Sequence, residues 1–100
     1  MDSKLLHCFL AVVDHRNMTA AAAALHLTQP ALSKNVHKLE EELGVRLFDR
    51  LPGGVIPTQY GLALARRARL IEHEFRLAQS EIEGLREGGG GTVTVGAGPM

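Results

Sequence analysis

The chain has 100 residues, 45% of them hydrophobic, a size that suits one modest core rather than several domains. Eleven basic and eleven acidic residues give zero net charge, which excludes a polybasic tail or an acidic disordered chain. The single cysteine, Cys8, excludes an intramolecular disulfide and favours a reducing, cytoplasmic setting. No stretch is apolar for long enough to predict a membrane span.

The first predicted helix covers residues 3–15 and is followed by a much shorter one. Its apolar residues recur at the spacing of one helix face: Leu6, Phe9, Leu10 and Val13. The second helix covers residues 20–25, with Thr19 as the predicted N-cap. Five consecutive alanines leave this helix almost without side chains, so we expect it to approach its neighbours closely.

The third predicted helix begins after a Thr28 cap, carries Pro30 in its first turn and ends at Gly44. One face is apolar and is predicted to be buried; it consists of Leu32, Val36, Leu39 and Leu43. The opposite face is polar and is predicted to point outward; it consists of Gln29, Ser33, Lys34, His37, Lys38 and Glu41.

Residues 45–57 are predicted to form a small β-hairpin. Strand-like runs at 45–48 and 55–56 flank Pro52-Gly53-Gly54, which is a turn signal. Three helices followed by a hairpin is the element order of a winged helix-turn-helix. The third helix of such a fold can enter the major groove of duplex DNA.

The side chains on the third helix and the hairpin fit that interpretation. Gln29 can pair with adenine, and Ser33 can serve either a base edge or a phosphate. Lys34 can reach guanine or the backbone, while Arg46 and Arg50 can place cations over neighbouring phosphates. Each residue alone is more often a solvated surface residue, and the prediction depends on their order along the chain.

Thr58 is the predicted cap of a fourth helix that extends to about Arg86. Its apolar residues alternate in steps of four and three over three heptads, which is typical of a dimerisation seam: Leu64, Ala68, Ile71, Phe75, Ala78, Ile82 and Leu85. Three short helices are too few to cover so long a rod, so the pattern favours a second copy of the chain as the cover.

Two other classes of function compete with DNA binding. An enzyme would need the glycines at 88–91 to cradle a phosphate, but such a loop follows a strand and precedes a helix, and here that order is reversed. The five histidines show no metal-ligand spacing, so no metal site, cofactor or catalysis is predicted. A pure dimerisation module would explain the seam equally well. Salt-dependent binding to random duplex DNA separates it from a DNA-binding domain.

Residues 17–61 resemble the DNA-binding domain of LysR-type transcriptional regulators. The motifs that carry the resemblance are TQPALSK at 28–34, LEEELGVRLFDR at 39–50, and the pair Thr58 and Gly61. The resemblance spans about residues 3–87. It implies a mainly α fold, with a winged helix-turn-helix followed by a long dimerising linker helix.

The resemblance also implies a sequence-specific regulator of transcription that binds double-stranded operator DNA as a homodimer, with a tetramer of the full protein left open. A small-molecule inducer would act through a separate effector domain. The expected DNA-binding residues are Thr28, Gln29, Pro30, Ser33, Lys34, His37, Lys38, Arg50, Gly53, Gly54 and Thr58. The family often has basic residues where Ala20 and Gly53 stand, so fewer phosphate contacts are expected here.

The predicted organisation has three parts. Residues 1–58 form the DNA-binding domain and residues 59–87 the linker helix. Residues 88–100 form a hinge and the first strand of an effector-binding domain that the chain lacks, because the alternating run TVTVG cannot be stable as a lone strand.

Overall fold

The structure is a computed structural model that describes residues 3–88. Its elements, in chain order, are α1 (Ser3–His15), α2 (Met18–Ala24), α3 (Gln29–Leu43), β1 (Phe48–Leu51), β2 (Gly54–Pro57) and α4 (Gln59–Gly88). The predicted mainly helical fold with a two-stranded wing is therefore confirmed. The strand predicted at 92–96 and most of the predicted hinge lie outside the described residues. Between residues 3 and 88, no helix combines the length and apolar character needed to cross a membrane.

Contacts divide the chain into two units, one ending at Arg69 and the other beginning at Leu70. The division falls inside α4, because three residues in its first turns are buried: Gly61, Ala65 and Ala68. We call residues 59–69 the core segment of α4 and residues 70–88 its exposed segment. The predicted domain boundaries after residues 58 and 87 stay predictions.

The core of the first unit is centred on α1. Phe9 and Val12 are fully buried, and the Phe9 ring lies 5.4 Å from the Phe48 ring at an interplanar angle of 43°. The buried face is wider than the predicted stripe and also takes in Leu5 and Cys8, because α2 and α3 both pack against α1. Each large side chain buried here contributes about 1.5–3 kcal/mol.

The second helix begins two residues earlier than predicted, and the prediction of Thr19 as its cap is wrong. Asn17 is the N-cap, with extended backbone angles, and its side-chain oxygen accepts a hydrogen bond of 2.8 Å from the Ala20 N–H. Met18 is buried as the first helical residue, and this burial explains the earlier start. The helix ends at Ala24, one residue before the predicted end.

Both predicted caps of α3 are confirmed. The Thr28 hydroxyl accepts a hydrogen bond of 3.2 Å from the Ala31 N–H. Gly44 has left-handed backbone angles (φ 69°) and donates its N–H to the Glu40 carbonyl at 2.8 Å. The buried stripe ends at Leu39, since Leu43 is 42% exposed in the last turn and no element covers it.

The hairpin is confirmed, but its first strand begins at Phe48 rather than residue 45. The backbone of Leu47 explains the shift, because its polar groups bind other elements. Its N–H donates to the Glu40 carboxylate at 2.7 Å, and its carbonyl accepts from the Thr58 N–H at 2.9 Å. The strands are antiparallel, with Phe48 opposite Pro57 and Leu51 opposite Gly54 across a two-residue turn.

The predicted cap of α4 is also confirmed, because the Thr58 hydroxyl accepts a hydrogen bond of 3.2 Å from the Gly61 N–H. The same hydroxyl donates to the Arg46 carbonyl at 2.6 Å and so joins the helix to the segment before β1. A second link, between the side chains of Arg69 and Asp14, joins the core segment of α4 to α1. With 30 residues, α4 is about 45 Å long.

Candidate nucleic-acid interface

The N-terminus of α3 is exposed and presents a polar side chain first. Thr28, Gln29 and Pro30 are all exposed. Pro30 has no N–H, and the N–H groups of Ala31 and Leu32 are bonded to the Thr28 side chain and carbonyl respectively. The Gln29 N–H is therefore the first-turn donor that this end of the helix can offer to an anion, with the favourable end of the helix dipole behind it.

Beyond its N-terminus, the outward face of α3 has two sides. Successive residues of a helix are about 100° apart, so Ser33 and His37 follow one side while Lys34 and Lys38 follow the other. Ser33 and His37 line a groove against the wing, whereas both lysines are exposed outside it. The polar side chains predicted to point outward do so, and the two sides offer different chemistry.

The groove between α3 and the wing has a volume of about 130 Å³. Its floor is apolar and is formed by buried side chains of four elements: Met18, Val36, Phe48 and Val55. Its rim is polar and consists of Ser33, His37, Glu40, Arg46 and Arg50. A space of this size suits a phosphate group with its water molecules rather than an inserted element.

The acidic groups near the groove are already engaged. The Glu40 carboxylate accepts a hydrogen bond from the Leu47 N–H at 2.7 Å, and its other oxygen lies 3.4 Å from Nδ1 of His37. Asp49 pairs with Arg46 at 3.8 Å, and both side chains are exposed, so that pair contributes little to stability.

The cations near the groove are less engaged than these carboxylates. Within residues 3–88, the structure shows no ion pair for Lys34, Lys38 or Arg50. Although the whole chain is neutral, the surface formed by α3 and the wing has free positive charge. Exposed Glu41 and Glu42 lie at the opposite end of α3 from Gln29.

Three predicted site residues in or near the wing have different surroundings. Gly53 is exposed in the turn, and a Cβ atom there would meet no atom within 4 Å. Gly54 lies against the carbonyl of Arg16, in the turn between α1 and α2. The Thr58 hydroxyl has two internal hydrogen bonds. Gly54 and Thr58 are thus engaged with the protein's own backbone, whereas Gly53 faces solvent.

Sequence reasoning missed two residues that shape this surface. Glu40 holds the segment before β1 to α3, and Arg16 accepts a hydrogen bond of 3.1 Å from the Val55 N–H. Nothing in the local sequence distinguishes Glu40 from Glu41 or Glu42. The turn at Arg16 was visible only as a break in the helical pattern.

The predicted seam on α4 is divided between the two segments. In the core segment, Ala68 is fully buried and Leu64 packs against the core. In the exposed segment, Ile71 is 56% exposed and Phe75 is 63% exposed. The remaining seam residues are also exposed: Ala78, Ile82 and Leu85.

Comparison with known proteins identifies relatives along most of the chain. Residues 3–62 match the family described as "Bacterial regulatory helix-turn-helix protein, lysR family". The chain is 44% identical over 91 residues to the HTH-type transcriptional regulator GbpR of Azospirillum brasilense, covering 91% of this chain and 27% of GbpR. It is 39% identical over 98 residues to the HTH-type transcriptional regulator BsdA of Bacillus subtilis, covering 97% of this chain and 34% of BsdA. The chain thus spans about a third or less of the length of these relatives.

Solved structures with the same fold include proteins bound to DNA. The BenM_DBD/benA site 1 DNA complex superposes with a TM-score of 0.83 at 32% identity, covering 88% of this chain and 99% of that one. The CbnR_DBD–DNA complex superposes with a TM-score of 0.75 at 34% identity, covering 86% of this chain and 100% of that one.

Proposed function

The chain belongs to the lysR family of bacterial regulatory helix-turn-helix proteins and carries the DNA-binding domain of a LysR-type transcriptional regulator, a non-enzymatic class; from this premise we propose that it binds operator DNA as a homodimer with α3 in the major groove. The observation that carries the proposal is the exposed polar face of α3, which begins at a capped N-terminus and runs beside the wing. The width of a major groove admits one α-helix.

Within this arrangement the residues divide between bases and phosphates. Gln29 and Ser33 lie in the first two turns of α3, where side chains of an inserted helix meet base edges. Lys38 lies further along α3, and Arg50 lies on the wing, so both are placed for phosphates. Lys34 lies between these groups and can read guanine or hold a phosphate.

Equilibrium binding to two duplexes across a salt series tests these roles. One duplex carries the site preferred in a selection from a random library, and the other has the same bases scrambled. Gln29→Ala should weaken binding to the preferred site by about 1–3 kcal/mol and leave the scrambled duplex nearly unaffected. Gln79→Ala removes the same kind of side chain from α4 and serves as the matched control.

Arg50→Ala should behave differently in the same experiment. Its charge would act on any sequence, so we expect both duplexes to bind more weakly by the same factor. The salt slope should fall by about 0.9 for each lost phosphate contact. If Gln29→Ala instead weakened both duplexes equally, α3 would not be the element that reads sequence. If the wild type bound no duplex even at low salt, a dimerisation module would be the better interpretation.

We further propose that the exposed segment of α4 pairs with a second copy of the chain. Support comes from the exposed seam residues, since Phe75 and Ile82 are each more than half exposed. The heptad spacing suits a helical partner with the same seam. Leu64 and Ala68 are covered by their own core, so we propose that pairing relies on Ile71, Phe75, Ala78, Ile82 and Leu85.

Charge along α4 favours an antiparallel pair. The core segment carries Arg66, Arg67 and Arg69 and no acidic residue, whereas the exposed segment carries five glutamates against Arg76 and Arg86. An antiparallel pair places the basic end of one helix beside the acidic end of the other, and a parallel pair opposes like charges. A cysteine introduced as Glu87→Cys should therefore form no disulfide between the two copies, while a parallel pair would crosslink there.

The remaining length of the relatives suggests how binding is regulated. We propose that the full-length regulator carries an inducer-binding domain beyond these residues, in line with the relatives' much greater length. Titrating small organic acids against residues 1–100 should then leave DNA affinity unchanged. We place the regulator in the cytoplasm, where bacterial DNA is located, and sedimentation of the full-length protein would separate a dimer from a tetramer.

A further inference from the structure

The wing is held to a distant turn by one backbone hydrogen bond. The Val55 N–H donates to the Arg16 carbonyl at 3.1 Å, and Arg16 lies in the turn between α1 and α2. Because this N–H points to Arg16, it does not take part in the β1–β2 ladder. Arg16 has left-handed backbone angles (φ 54°), an uncommon conformation for a residue other than glycine.

Gly54 is in close contact with the same carbonyl. A Cβ atom built on Gly54 would lie 2.4 Å from the Arg16 oxygen and 3.6 Å from its carbonyl carbon. The first distance is shorter than any ordinary contact, so a side chain at this position must displace either the turn or the wing. Gly53, the preceding residue, has no atom within 4 Å of its corresponding Cβ position.

The contact at Arg16 holds a part of the hairpin that its other hydrogen bonds do not reach. The base of the hairpin is fixed by the Leu47 carbonyl, which accepts from the Thr58 N–H at 2.9 Å, and by the Leu47 N–H, which donates to Glu40 at 2.7 Å. Val55 lies nearer the turn, directly opposite Arg50 in the strand register. The hydrogen bond to Arg16 therefore fixes the wing at the level of Arg50.

We propose that Gly54 is a positioning residue that sets the distance of Arg50 from α3, and so determines whether the wing and α3 can contact the same duplex. This inference rests on the proposed DNA-binding function. Gly54 does not itself touch DNA in this arrangement. It allows the wing to approach the Arg16 carbonyl closely enough for the Val55 hydrogen bond to form.

The test compares Gly54→Ala with Gly53→Ala, which adds the same methyl group one residue away in open space. Arg50→Ala and the double variant Gly54→Ala/Arg50→Ala complete the set. Each is measured for binding to the preferred and scrambled duplexes across a salt series. Gly54→Ala should weaken both duplexes by about the same factor as Arg50→Ala and lower the salt slope by about 0.9. The preference for the selected site should remain, because α3 is unchanged.

The double variant distinguishes positioning from a general structural fault. If Gly54 acts through Arg50, adding Gly54→Ala to Arg50→Ala should weaken binding no further. Multiplying losses in the double variant, or equal losses in Gly53→Ala and Gly54→Ala, would overturn the inference. Wild-type affinity in Gly54→Ala would also overturn it. These results presuppose a wild type that binds duplex DNA, so a wild type that binds none refutes the proposed function instead.

Hydrogen exchange of the wild-type protein tests the same contact if Gly54→Ala does not fold. The Val55 amide should exchange slowly, at a rate close to that of the Thr58 amide, because both are bonded to a carbonyl outside the hairpin ladder. A Val55 amide that exchanged as fast as that of Gly53 in the exposed turn would refute the contact on which the inference depends.

Discussion

The two segments of α4 have similar apolar spacing but opposite environments. In the core segment, Ala65 and Ala68 are buried by the rest of the first unit. In the exposed segment, Phe75 and Leu85 continue the same repeat and are 63% and 64% exposed. Periodicity therefore identifies the apolar face of a helix, but the face alone does not tell whether its cover comes from the same chain. Side-chain size is informative here, since the covered positions include alanine and glycine, which allow close approach.

The largest expected effect concerns the exposed segment. Phe75→Asp should weaken the dimer by about 3–6 kcal/mol, because it removes one large apolar side chain from each copy at about 1.5–3 kcal/mol apiece. Leu77→Asp is the matched control, since Leu77 is 51% exposed but lies off the seam. Sedimentation at several concentrations measures the change. Equal weakening by both variants would mean that the seam is not the dimer interface.

A buried leucine and an exposed leucine should differ nearly as much within the first unit. Leu39→Ala removes a fully buried side chain of α3 and should lower the free energy of unfolding by about 2–5 kcal/mol. Leu62→Ala shortens a side chain that is 51% exposed on the core segment and should change it by less than about 0.5 kcal/mol. Urea unfolding of both variants measures the difference. A comparable loss in Leu62→Ala would show that its exposed side chain is covered in solution.

The glycines of α4 extend the comparison to backbone packing. A Cβ atom on Gly61 would lie 2.2 Å from the Leu47 carbonyl oxygen, so Gly61→Ala must push the helix away from the segment before β1. We expect the free energy of unfolding to fall by about 1–3 kcal/mol, the range for overpacked sites. Thermal unfolding followed by circular dichroism measures it. An unchanged midpoint would show that the contact at Leu47 relaxes easily.

The smallest expected effect has the opposite sign. Gly84 lies in the exposed segment, and a Cβ atom there would meet nothing within 4 Å. Because alanine is the better helix former by about 0.5–1 kcal/mol, Gly84→Ala should raise the helicity of this segment. The ellipticity at 222 nm, compared between Gly84→Ala and wild type, measures the change. Lower helicity would mean that position 84 is packed against a partner that a methyl group disturbs.

Features that depend on neighbouring residues could be predicted from the sequence. The caps at Thr28 and Gly44 were predicted because a cap needs only its own backbone angles and a partner within one turn. The cap of α2 was misassigned because both Asn17 and Thr19 are good caps, and the burial of Met18 decides between them. The start of β1 was misplaced for a similar reason, since Leu47 binds α3 and Thr58 rather than β2.

The contacts that shape the candidate interface join residues far apart in the sequence. The hydrogen bond between Arg16 and Val55 has no local signal, and Glu40 is one of three consecutive glutamates. The outward side chains of α3 could be predicted because a capped helix with an apolar stripe has a defined opposite face. Their distances from the wing depend on the long-range contacts and could not be predicted.

The hydroxyl of Thr58 has a mechanical consequence. It accepts from the first turn of α4 and donates to the Arg46 carbonyl just before the wing, so the root of the helix and the root of the wing share one joint. A helix of about 45 Å acts as a lever on such a joint, and a tilt of about 5° at Thr58 moves its far end by about 4 Å. By the same leverage, a displacement of several ångströms near Gly88 reaches the wing as a rotation of only a few degrees. Such a rotation is small enough for Arg50 to follow without breaking its strand.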